Sequence, residues 1–279
     1  MPSADSFTVT QIEPDIFVFR GNAYESIATV FVHGRHALLV DALASAADAQ
    51  RMRAHIETTL GASVRLIVMT HAMSDHMSGL HLFPDAHVLA HAFHDFTFLS
   101  QRERSIEDER EFVRPTIEIQ GEVMFAWGRN RLRVFHNPGK TMCALAVDVP
   151  DRDLVVCGDA IVGNIAYLSS SAPDLIDRAI QSLQRLGRSR VIPGHIGPQD
   201  ASALGNARSY LRELGRCVGA KRDAHCGTDS IFGIAIETCL AEGVTPTPFE
   251  REWHARNLDR IVERGLYRSR EPLAAVAPC

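Results

Sequence analysis

The stretch Thr70-His71-Ala72-Met73-Ser74-Asp75-His76-Met77-Ser78-Gly79 comes directly after an apolar, β-branched run, Val64-Arg65-Leu66-Ile67-Val68-Met69. The run reads as a buried strand, and the polar stretch as the loop in which that strand ends. Imidazoles and a carboxylate within six residues at a strand end can turn toward one point. Neutral imidazole together with carboxylate suits zinc or iron. With 13 histidines in the chain, chance clustering is the competing reading, so the loop has to be weighed together with the motifs downstream of it.

Three of these occur in order: Pro138-Gly139-Lys140-Thr141, Gly158-Asp159 and Pro193-Gly194-His195. On these residues the chain resembles the metallo-β-lactamase-fold hydrolases, in order and spacing, over roughly residues 7 to 200. The family's loop is His-x-His-x-Asp-His. This chain keeps His71, Asp75 and His76 but has Met73 at the second histidine. The family's Pro-Gly-His-Thr loop carries Lys140 in place of its histidine, while Asp159 and His195 stand intact. Asp41, at the end of Ala37-Leu38-Leu39-Val40, matches the strand-end aspartate that braces the metal loop from behind.

The resemblance implies an α/β (α+β) fold, an αββα sandwich of two packed mixed β-sheets with outer helices. It also implies a two-ion centre sharing one aspartate. Carried over by position, the first ion would meet His71, Met73, Lys140 and Asp159, and the second Asp75, His76, His195 and Asp159. The metal ligands expected on this basis are His71, Asp75, His76, Asp159 and His195, with Asp75 and Lys140 as catalytic groups. A thioether is a weak zinc ligand, and an ammonium cannot coordinate until it loses a proton. The first position is therefore degraded and the second complete.

The two substitutions belong together physically. Removing a dication from among carboxylates leaves uncompensated negative charge, which is costly where solvent is scarce. A lysine ammonium directed at Asp159 replaces part of it, and Met73 fills the vacated volume with a flexible apolar chain. Of 29 Lys and Arg residues, only Lys140 and Lys221 are lysine, which makes a lysine inside a metal-site loop informative. The expectation is one divalent metal ion, zinc first and iron next, in a hydrolase acting on an ester-type small molecule such as a lactone or thioester. The alternatives are an iron-dependent redox enzyme acting on a small sulfur- or oxygen-containing substrate, and a non-catalytic binding protein with a decayed centre. The expected partner is a small-molecule substrate, and a homo-oligomer is allowed.

Composition sets the outer bounds. The chain has 279 residues, 46% hydrophobic and 23% charged, an ordinary globular balance with room for a sizeable core. A net charge of −5 gives no electrostatic case for nucleic acid or an anionic membrane as partner. No apolar run is long enough to span a bilayer, and Met1-Pro2-Ser3-Ala4-Asp5 does not open a secretory signal. Six cysteines without C-x-x-C spacing fit reduced thiols in a cytoplasmic protein. Cys143 and Cys157 lie in apolar runs and read as core. Cys226, beside His225, is the cysteine nearest to a chemical context.

Short strands are expected over residues 7–41, 64–69, 88–90, 116–157 and 190–192, with helices over 45–60 and 173–186. Residues 1–200 then form the αββα domain. Residues 201–279 form a helical C-terminal extension packed over the site, with helices at 201–217, 229–242 and 249–265. His91, His94 and Asp95 read as a pocket rim or solvated face rather than ligands. The charged run Gln101 to Arg114 reads as an exposed helix or loop rather than a substrate lid. Trp253 reads as core, with Trp253 and His254 as lesser candidates for a pocket wall.

Overall fold

The computed structural model describes residues 7–101, 105–169 and 171–267. The extreme N-terminus, Cys279 and part of the 101–114 charged run lie outside the described residues. The first sheet has the spatial order β1 (Thr8–Glu13), β2 (Ile16–Arg20), β3 (Ile27–His33), β4 (His36–Val40), β5 (Ser63–Val68), β6 (His87–His91) and β7 (Ile117–Ile119). Its first four strands are antiparallel neighbours, and β4 to β7 run parallel. The second sheet holds β8 (Glu122–Trp127), β9 (Asn130–His136), β10 (Leu145–Val149), β11 (Leu154–Gly158), β12 (Arg190–Pro193) and β13 (Gln199–Asp200), in the reverse spatial order. Only β11 and β12 pair in parallel there.

The alternation of side chains along each strand explains the layering. On β4, Leu38 and Val40 face the second sheet, and meet a core with Val134, Leu145, Val147, Val156 and Ile192. Ala37 and Leu39 face the other way, onto Met52 and Ile56. Both faces of this strand are covered, which is why its sequence is continuously apolar. Met52 and Ile56 sit on α1 (Ala46–Thr58), capped by the Ser45 side chain accepting from Asp48 N. The outer face of the second sheet is covered by α5 (Pro173–Gln184), α6 (Ser202–Asp223) and α8 (Pro248–Arg264) through Ile180, Leu211, Trp253 and Leu258. Helices outside two packed sheets make the αββα sandwich.

Between these lie four short helices: α2 (Ser74–Met77), α3 (His94–Ser100), α4 (Ile106–Glu111) and α7 (Asp229–Phe232). Two expectations are corrected here. The helix expected over 229–242 is the single turn α7, followed by a 3-10 turn at Ile236–Thr238. Gly233 ends it, where backbone freedom favours leaving the helix. Conversely α6 runs on to Asp223, because Gly219 inside a helix costs only about 1 kcal/mol and the buried stripe from Leu204 to Val218 outweighs that. Cys143 and Cys157 are buried free thiols and Cys226 is exposed. Among the described residues, no helix is long and apolar enough to cross a membrane.

Candidate metal centre

The loops that leave β5, β11 and β12 at the same edge of the sandwich bring the singled-out residues together. The loop after β5 folds into α2, so Asp75 and His76 ride on one helical turn. Asp159 follows β11 directly, and His195 follows β12. Asp75, His76, Asp159 and His195 each offer a ligand atom, and these atoms lie within 4.8 Å of one another. His76 Nε2 is 3.2 Å from Asp159 Oδ1. His195 Nε2 is 3.3 Å from the same oxygen and 3.4 Å from Asp75 Oδ2. His71 stands to one side, its Nε2 3.6 Å from Asp159 Oδ2.

Each imidazole is oriented by what its other nitrogen meets. His76 Nδ1 donates to Asp41 Oδ2 at 3.1 Å. His195 Nδ1 donates to the Tyr24 carbonyl at 2.7 Å. The Thr70 hydroxyl already donates to Asp41 Oδ2 at 2.6 Å, so it accepts from His71 Nδ1 at 3.0 Å. All three rings therefore carry a proton on the outward nitrogen and turn Nε2 inward, the orientation a metal-binding histidine needs once Nε2 is deprotonated. Asp41 braces the loop as the resemblance implied. The Tyr24 carbonyl is an orienting group that no side-chain motif announces.

The fit to a cation is visible in what these atoms lack. His71 Nε2, His76 Nε2 and Asp159 Oδ1 are buried and make no hydrogen bond of good geometry, a costly state for polar atoms, although the last two face each other at ion-pair distance. Two imidazoles and two carboxylates are a donor set suited to Zn²⁺ or Fe²⁺. The charge state points the same way. Burial opposes the charged form of His195, yet Asp159 and Asp75 push its pKa up to about 9. His76 is buried too, and Asp159 with Asp75 raises it well above the ordinary histidine value. His71, by contrast, is lowered by burial and by His76. The centre thus holds excess negative charge, which attracts protons or a cation.

Lys140 is buried and its Nζ lies directly against Asp159 Oδ2. Burial works against its ammonium, but Asp159 and Asp75 outweigh that and raise its pKa. Reciprocally, burial raises Asp159 while Lys140, His195 and His76 hold it well below the carboxylate range. Asp75 is lowered against its burial by His76 and Lys140.

His91 and His94 depart from the expected rim or solvated face, since both are buried. His91 ends β6 and stacks on His136 with ring centroids 3.9 Å apart. His94 stacks on Phe112, and burial, only partly opposed by Asp95, lowers its pKa to about 4. Burial lowers both and so favours their neutral forms. Trp253 is core, as expected, but its ring also lies 6.1 Å from that of His195, with Phe249 at 5.3 Å. His254 faces Tyr210 and the Ile234 carbonyl instead. Tyr167, which no sequence motif singles out, has its ring 5.6 Å from Lys140 Nζ.

A family model described as the metallo-beta-lactamase superfamily matches residues 23–195. Curated relatives include the acyl-coenzyme A thioesterase MBLAC2 of Bos taurus and that of Homo sapiens, each 28% identical over 177 residues. Those matches cover 54% of this chain and 63% of the relative, so the chain spans under two thirds of the length of the curated relatives it matches. Among solved structures, a metallo-beta-lactamase from Pontibacter korlensis superposes with a TM-score of 0.64 at 20% identity, covering 74% of this chain and 99% of that one. One from Hirschia baltica gives 0.60 at 16% identity, covering 74% and 97%. At these identities the likeness shows the fold alone.

Proposed function

The chain belongs to the metallo-beta-lactamase superfamily, and from that premise we propose that it is a hydrolase of small acyl thioesters with a single divalent ion. Asp75, His76, Asp159 and His195 would hold the ion, zinc before iron, and Lys140 takes over the charge of the other one. The observation that carries this reading is the buried Lys140 ammonium against Asp159, beside a four-residue donor set left intact. The thioester class rests on the distant thioesterase relatives.

When bound, the ion would supply Lewis-acid polarisation of the acyl carbonyl and a water acidified toward neutral pH. The chain's own residues do the rest. Asp75 has the most exposed side chain of the donor set, at 16%, and orients the attacking water. Lys140 presents a fixed positive charge to the carbonyl oxygen as charge develops there, and a preorganised charge of this kind needs no rearrangement during reaction. Asp41, Thr70 and the Tyr24 carbonyl hold the rings that surround the reaction.

Metal analysis of purified protein loaded with excess zinc and then desalted tests the proposal, together with acyl-CoA hydrolysis followed by thiol release. One zinc equivalent and thiol release that is lost in His195→Ala support it. Two equivalents sink the lysine substitution, and absence of thiol release across acyl-chain lengths sinks the thioester class.

A further inference from the structure

The ring of Tyr167 is fixed over Lys140 by one helix, α8, through several independent contacts. Asn257 Oδ1 accepts from Leu168 N at 2.8 Å, and Asn257 Nδ2 donates to the Ala166 carbonyl at 2.8 Å. One buried amide thus grips the backbone on both sides of Tyr167. The Arg260 guanidinium, one turn further along α8, is near enough to the Tyr167 side chain for that contact to raise the guanidinium pKa. Trp253, one turn earlier, packs on the Tyr167 ring with centroids 4.6 Å apart. At the start of the helix, the buried Glu250 carboxylate accepts from Asn164 N at 2.6 Å and from Asn164 Nδ2 at 3.1 Å. Glu250 also closes the capping box of α8 with Thr247. The segment from Asp159 to Leu168 is therefore tied at both its middle and its end to α8.

We infer that Asn257 is a positioning residue, which acts through Tyr167 to hold the Lys140 ammonium at Asp159. An ammonium within about 6 Å of an aromatic centroid is attracted to the ring face, more strongly where water is excluded. Lysine has a long flexible stem and loses much rotamer entropy when one position is demanded of it. A wall that is both rigid and electrostatically attractive narrows its choices. Tyr167 supplies that wall, its ring centroid 5.6 Å from the Lys140 Nζ, and Asn257 keeps the wall in place. The helix beyond residue 248 is thereby made part of the machinery around the centre. The inference rests on the proposal that Lys140 serves as the charge in the site.

The chain has only two lysines, Lys140 and Lys221, so protein labelled with 15N at lysine Nζ offers at most two ammonium resonances. Lys221→Arg, on the exposed end of α6, assigns them. Tyr167→Leu is expected to shift the Lys140 resonance, Asn257→Ala to shift it in the same direction, and the double variant to shift it no further. Tyr167→Phe, which keeps the ring, is expected to retain most of the wild-type position. In thioester turnover, Asn257→Ala is expected to lower kcat by about tenfold with KM nearly unchanged, and the double variant to be non-additive. A Lys140 resonance unmoved in Tyr167→Leu overturns the contact. One moved in Tyr167→Leu but not in Asn257→Ala overturns the role of Asn257. Because the resonance is read without substrate or metal, it separates failure of this inference from failure of the proposed activity.

Discussion

Oδ2 of Asp41 lies 3.1 Å from Nδ1 of His76, and the same carboxylate takes both the hydroxyl and the backbone N–H of Thr70. One buried acid therefore orients His76 directly and His71 through Thr70. Asp41 sits in the left-handed region, at φ 60°, a conformation few non-glycine residues adopt without compensation. Here three charge-assisted contacts offset it. Replacing Asp41 with Ala is expected to free both imidazoles to rotate and to weaken zinc binding by about 10- to 100-fold. Competition against a chromophoric chelator measures this. An unchanged affinity would show that the rings are held by packing alone.

The Lys140–Asp159 pair makes a prediction for the metal-free and metal-loaded states separately. Lys140→Met leaves Asp159 buried without its ammonium, which is expected to destabilise the metal-free protein by about 3–5 kcal/mol in denaturant unfolding. Turnover of the loaded variant is expected to fall by about 10²- to 10³-fold, the scale for losing one oxyanion-stabilising group. The reciprocal change, Met73→His with Lys140→His, restores the family's imidazoles and is expected to raise the zinc content from one equivalent to two. A double variant that still binds one ion would show that the fold around the first position has closed.

Proton competition gives the pH dependence. In the metal-free centre burial disfavours the charged His195 ring, but Asp159 and Asp75 hold its pKa at about 9, and a metal ion requires the neutral ring. Zinc uptake between pH 6.5 and about 9 is therefore expected to release at least one proton, with affinity rising as pH rises. Titration calorimetry in buffers of different ionisation enthalpy counts the protons. The stability of the metal-free protein runs the opposite way. A histidine raised from 6.5 to about 9 contributes its full stabilisation below the lower value and loses it as pH climbs through the higher one. Apo protein at pH above 9 is expected to unfold more easily than at neutral pH, and zinc should reverse the trend. Flat apo stability across that window would mean that His195 does not carry the proton.

The parts of this centre that were legible in the sequence are those written locally. His71, Asp75 and His76 lie within one loop, and Asp159 and His195 each follow a recognisable apolar strand, so strand ends and ligands could be read together. Lys140 stood out because lysine is so rare here. What was not legible depends on partners distant along the chain. Tyr167 owes its place to Asn257 and Trp253, about 90 residues away. The burial of His91 and His94 depends on His136 and Phe112, which no spacing rule connects to them. The orienting carbonyl of Tyr24 carries no side-chain signature at all. The brevity of α7 reflects a contest between helix propensity and Gly233 that tertiary packing decides.

Gly194 has no room for a side chain. It precedes His195, its carbonyl accepts from Ile27 N at 2.8 Å, and its own N–H donates to the Gly158 carbonyl at 2.9 Å. These bonds lock the backbone, so the residue cannot retreat. A Cβ built there falls inside contact distance of both Asp159 Oδ1 and His76 Cε1. Both neighbours belong to the donor set, and both are buried, so an added methyl has to displace one of them. Gly194→Ala is therefore expected to cost about 1–3 kcal/mol of stability and, through ligands moved by a fraction of an ångström or more, about 100-fold in kcat/KM. Gly197, two residues on from His195 and with open space around its Cα, is the wrong control because its φ of 140° strains any side chain. Gly205, on α6 with only the Gln184 amide at 3.8 Å, is the right one. Gly205→Ala should leave zinc affinity and turnover as they were. Equal losses in the two variants would show that the effect is global rather than seated at the centre.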